Sequence, residues 1–93
     1  MVDDGARDAI IKKGKSLLPI GIRRVDGPFS CGDVVNIRTL AGDLIARGLV
    51  EYDADDVQVI KGHRTTEIPR LLGSKDYDEV IHRDNMVVLR AEQ

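Results

Sequence analysis

Ala6, Ala9 and Ile10 recur three and four residues apart behind Asp3 and Asp4, with Lys12, Lys13 and Gly14 after them. This spacing predicts a short helix opening at Asp3 or Asp4, with one buried face, basic residues near its C-terminus and a glycine stop. Leu18 precedes Pro19 and is pushed out of helical geometry, so Ser16 to Pro19 reads as an extended connector. Ile20, Ile22 and Val25 then predict a strand that ends at the turn Asp26-Gly27-Pro28. Beyond Gly32-Asp33, the run Val34 to Thr39 alternates Val35 and Ile37 with Asn36 and Arg38, as a half-buried strand does. Ala41-Gly42-Asp43 predicts a hairpin turn into a second strand, Leu44 to Tyr52. Gly48 inside that strand marks a bulge or a close backbone approach.

The second half is read the same way. Asp53 stands where a helix N-cap would, ahead of Asp55 and Asp56, with Val57 and Ile60 facing inward and Lys61-Gly62 as the stop. Thr66 caps a third short helix through Leu72, with Pro69 in its first turn and Gly73 beyond its end. Val80 to His82 and Met86 to Leu89 read as two short strands around Arg83-Asp84-Asn85. The order helix, three strands, two helices, two strands predicts a mostly β, α+β domain: a small mixed pseudo-barrel of about five to six strands with two to three short helices.

Composition narrows the function classes. At 93 residues the chain is one domain, with a core of limited size and an expected stability near the lower end of about 5 to 15 kcal/mol. Aromatic residues are 3% of the chain, so Ile, Val and Leu must build the interior and base stacking has little material. A net charge of −2 with a pI near 5.6 argues against a general nucleic-acid binder, so any RNA contact must use a local patch. The single cysteine, Cys31, allows no internal disulfide and lacks a histidine neighbour in sequence. No apolar run approaches the ~20 residues that span a bilayer, and Asp3 and Asp4 stand where a secretory signal would be positive. A cytoplasmic protein without membrane association is expected.

Several motif fragments fail on inspection. Gly14-Lys15-Ser16 matches the tail of a phosphate-binding P-loop, but Ala9 occupies the position of the required earlier glycine, and a helix precedes where a strand should. His82-Arg83-Asp84 imitates a protein-kinase catalytic loop, yet Leu89 stands where the magnesium-binding Asn belongs. His63 and His82 lack the spacing that places two metal ligands on one element. The residues thus predict no catalytic, cofactor or metal site. What remains is a basic cluster, Arg7, Lys12, Lys13, Lys15, Arg23 and Arg24, holding six of the fourteen Lys and Arg residues. It is weighed against a solvated face whose charges complement a helix C-terminus. Lys61, His63, Arg64 and Arg70 form a weaker second cluster.

The run Gly14-Lys15-Ser16-Leu17-Leu18-Pro19-Ile20-Gly21-Ile22 and the later run Glu79 to Val88 resemble, in that order, the C-terminal PUA domain of bacterial glutamate 5-kinases. Asp4-Gly5-Ala6, Ala46-Arg47-Gly48-Leu49-Val50 and Ile60-Lys61-Gly62 fit the same resemblance, which covers about residues 2 to 89. Asp53-Ala54-Asp55 departs from it where the family often has serines. The resemblance implies a compact β pseudo-barrel without catalytic residues, appended to an upstream amino-acid kinase domain that binds ATP and magnesium. The first expectation is therefore a non-catalytic module acting in regulation or assembly, with that kinase domain as partner in a homo-oligomeric parent. The alternative is an RNA-binding PUA module: RNA-binding members use the first helix, the following loop and the neighbouring strand, where the basic cluster falls. A free-standing enzyme finds no residues to support it.

Overall fold

The structure, a computed structural model, describes residues 1–89. Helix α1 spans Asp4–Lys13. The Asp3 carboxylate accepts from the Ala6 N–H at 2.8 Å, and Gly14 at φ 60° turns the chain out of the helix. Ile10 is its buried anchor, and Ala6 packs closely enough on Gly21 that a Cβ there would fall 2.5 Å from that of Ala6.

Strands β1, Val34–Arg38, and β2, Leu44–Leu49, form the predicted hairpin, and β3, Met86–Val88, pairs with the other edge of β2. Both ladders are antiparallel. Buried Thr39 organises the hairpin turn: its N–H donates to the Asp43 carbonyl at 2.9 Å, and its hydroxyl accepts from the Asp43 N–H at 3.1 Å. The ladder pairs Ile37 with Ala46 but Arg38 with Leu44, leaving Ile45 as the extra residue of a bulge. That is why Ile45 and Ala46, adjacent in sequence, are both buried. Gly48 is the close approach: a Cβ on it would lie 2.6 Å from Ile81 Cγ2 and 2.9 Å from the Asn85 carbonyl oxygen.

Three strands form ladders, fewer than the five to six expected. The segment read as a strand from Ile20 to Val25 begins instead as a 3-10 turn, Pro19–Gly21, and Ile22 makes a single bridge to Val2. Pro19 supplies the turn's first position, where its missing N–H does no harm. The segment Val80 to His82 likewise contributes one bridge, Ile81 to Leu17. These isolated rungs do the work of the missing ladders. Thr39 bridges Val2 in parallel, Val2 bridges Ile22, Leu17 bridges Ile81, and Glu51 beyond β2 donates to the Val80 carbonyl at 2.8 Å. The backbone thereby runs around a small mixed barrel.

Helix α2, Ala54–Ile60, buries Val57 and Ile60, and α3, Ile68–Leu72, buries Ile68. Asp53 holds the N-cap position of α2, yet its carboxylate accepts from the Cys31 N–H at 2.7 Å rather than from the helix's first turn. The third helix opens earlier than Thr66. A 3-10 turn, Thr65–Glu67, leads into it, and the Glu67 carboxylate accepts from the Arg64 N–H at 2.9 Å. This bond, with His63 and Arg70 beside the carboxylate, holds Glu67 below its ordinary carboxylate value. The loop before Val80 is fastened by Tyr52, whose hydroxyl donates to the Tyr77 carbonyl and accepts from the Tyr77 N–H at 3.0 Å. The two rings meet edge to face with centroids 6.2 Å apart. Tyr52→Phe leaves both Tyr77 backbone groups without this partner. It should cost about 1–2 kcal/mol by urea unfolding, with faster amide exchange confined to residues 74–79.

Candidate functional site

The structure divides the six basic residues into two groups. Arg7 lies 3.4 Å from the Asp4 carboxylate and 3.1 Å from that of Asp8, and Lys12 lies 3.9 Å from Asp8. Arg23 sits 3.7 Å from Asp3, and Arg24 sits 3.0 Å from Asp26. Four of the six cations are thus offset by carboxylates within their own segment. Lys13 and Lys15, exposed on either side of Gly14, have no carboxylate partner among the described residues. The second cluster is reduced in the same way, since His63 and Arg70 share Glu67 at 3.5 and 2.9 Å.

Fold closure adds a residue that the linear reading passed over. The Leu17–Ile81 bridge brings the two rejected motif fragments together, and the Arg83 N–H donates to the Ser16 hydroxyl at 2.8 Å. Arg83 is exposed, carries no carboxylate partner among the described residues, and flanks the loop that holds Lys13 and Lys15. In sequence it stands 67 positions from Ser16, so no local spacing announces the pairing. The histidines serve structure: His82 Nδ1 accepts from the Asp84 N–H at 3.1 Å, which caps the 3-10 turn Arg83–Asn85.

A second surface lies on the outer face of the sheet. Val34 and Leu49 are direct cross-strand partners, and Val87, opposite Arg47, is diagonal to Leu49 on the same face. Their exposures are 63%, 40% and 64%, an apolar row crossing all three strands. Arg47 donates to the Asn36 side chain at 3.2 Å beside it. Among the described residues no helix is long and apolar enough to cross a membrane.

Comparison with known proteins agrees with the architecture. The sequence profile of the PUA domain matches residues 1–72. Glutamate 5-kinase of Dictyoglomus thermophilum is 50% identical over 88 residues, covering 95% of this chain and 24% of that protein. Glutamate 5-kinase of Moorella thermoacetica is 54% identical over 88 residues, covering 95% of this chain and 23% of that protein. The chain therefore spans about a quarter of the length of these curated relatives, and it matches their C-terminal region. Among solved structures, a conserved PUA domain protein from Thermoplasma acidophilum superposes with a TM-score of 0.59 at 33% identity, over 67% of this chain and 41% of that one. The chain belongs to the PUA domain family and is homologous to the C-terminal region of glutamate 5-kinase.

Proposed function

We propose that this chain is the accessory, non-catalytic domain of an ATP-dependent glutamate 5-kinase, which forms L-glutamyl 5-phosphate in the first step of proline biosynthesis. In this reading it works by docking on the kinase domain, and ATP and magnesium belong to that partner. The observation that carries the reading is the apolar row Val34, Leu49 and Val87, which suits a protein surface far better than a polyanion. Internal neutralisation of Arg7, Lys12, Arg23 and Arg24 points the same way.

The test uses the kinase domain of the Moorella thermoacetica relative, freed of its own C-terminal region. The chain should bind that domain, and Val34→Glu with Val87→Glu should abolish binding while leaving the fold intact by circular dichroism. Formation of glutamyl phosphate by the pure chain, or binding indifferent to both substitutions, would overturn the reading.

A second reading, RNA binding, is favoured by Lys13, Lys15 and Arg83 around the Gly14 loop. Each phosphate neutralised on single-stranded RNA contributes about 0.7 to the slope of log affinity against log salt. If these residues hold RNA, Lys13→Glu with Lys15→Glu should remove about 1.4 from that slope in a low-salt titration. An unchanged slope, or no binding by the parent chain, removes this reading.

A further inference from the structure

A slot of about 490 Å³ opens between β1 and the segment Ile22–Asp26. Its floor is the barrel interior, including Ile37, Val50 and Val57, and Phe29 and Pro28 close one end. Two facing backbones form its walls, and the first residues of the chain already lie between them. The Val2 N–H donates to the Arg38 carbonyl at 2.9 Å on one side, and the Arg23 N–H donates to the Met1 carbonyl at 2.8 Å on the other. Val2 pairs in parallel with Thr39 and antiparallel with Ile22, so both ladders start at Val2 and point back along the slot. Hydrogen-bonding groups alternate along a strand. The edge of β1 that offers the Arg38 carbonyl to Val2 therefore carries the N–H and C=O of Asn36 and Val34 as well. The Met1 ammonium now sits there, donating to the Arg24 carbonyl at 2.6 Å. Loss of solvent in the slot holds it below its ordinary value near 8.0.

We propose that this slot is a strand-binding site: it takes an extended polypeptide entering in line with Met1 and Val2, parallel to β1 and antiparallel to Ile22–Asp26. About four residues at ~3.3 Å each reach from Met1 to the far end of β1. Val2 is buried, so by strand alternation the residues two and four places before it also project into the interior and must be apolar, with polar residues between them. In a protein of the relatives' length the occupant is the polypeptide leading into this domain, and that attribution alone rests on the proposed function. The consequence is mechanical: the domain is held to what precedes it by a strand zipped on both edges, not by a flexible linker.

The experiment compares the chain carrying Thr-Val-Thr-Val ahead of Met1 with the same chain carrying Pro-Asp-Pro-Asp. The first should raise the melting temperature and slow exchange of the Asn36 and Val25 amides at least tenfold relative to the second. A Thr-Val-Thr-Val-Met-Val peptide added in trans to the unmodified chain at millimolar concentration gives a second format that does not depend on refolding a variant. Protection of the Asn36 amide in either format supports the site. Equal exchange in the two extended chains, together with no protection by the peptide, overturns it. A slot that accepts the strand while the chain fails to bind the kinase domain would reject the proposed function and leave this site standing.

Discussion

Gly48→Ala should lower stability by about 3 kcal/mol, at the upper end of overpacking costs, and the melting temperature by roughly 15 °C. The added methyl would stand 2.6 Å from Ile81 Cγ2, 2.9 Å from the Asn85 carbonyl oxygen and 3.4 Å from Met86 Cα. None of these neighbours is a flexible side-chain end. Ile81 is 1% exposed and its backbone carries the bridge to Leu17, while Met86 is the residue paired with Gly48 itself. Relief must therefore come from separating β2 and β3 or from opening the ring. A double-mutant cycle identifies the cause. Ile81→Ala alone should cost about 3–4 kcal/mol through its cavity, yet it also removes the nearest clash. The pair should lose less than the sum by 1 kcal/mol or more, the remainder coming from the Asn85 carbonyl. Strict additivity in urea unfolding would show that Gly48 is needed for another reason.

Ile60→Ala should be costlier still, about 4 kcal/mol. Ile60 has no exposed surface and lies on the buried face of α2, which packs against both α3 and the Pro19–Gly21 turn. A cavity there loosens three elements at once. A single domain of this size has little stability in reserve, so the variant should be substantially unfolded at 37 °C. Ile60→Val should cost about 1 kcal/mol, and Val59→Ala, one position away but 45% exposed, should stay within about 0.5 kcal/mol. Similar losses at positions 59 and 60 would contradict the assigned face of α2.

The parts of this fold that were legible in sequence are those whose causes are local. Asp3, Ile10 and Gly14 mark α1 because a cap, a buried face and a left-handed stop all lie within one short segment. Val57, Ile60, Pro69 and Gly73 mark α2 and α3 for the same reason. Closure of the barrel was not legible strand by strand. A bridge between Leu17 and Ile81 leaves no periodicity in either segment, and Ile20-Gly21-Ile22 has strand-like composition although Pro19 bends it into a turn. The bulge at Ile45 was equally hidden, since two consecutive buried residues look like any apolar pair. In the basic cluster the missed signal was present. Asp4 and Arg7, and Asp8 and Lys12, stand at the helical spacings that bring opposite charges together. Counting carboxylates with cations would have left Lys13 and Lys15. Arg83 joins them only through the fold.

Because Leu17 meets Ile81 and Val2 meets Thr39, the circle can be completed only after nearly the whole domain has left the ribosome. Hydrophobic segments made early, around Ile10 and Ile22, must wait for a partner synthesised some sixty residues later, an order of events that favours slow maturation and reliance on chaperones during synthesis.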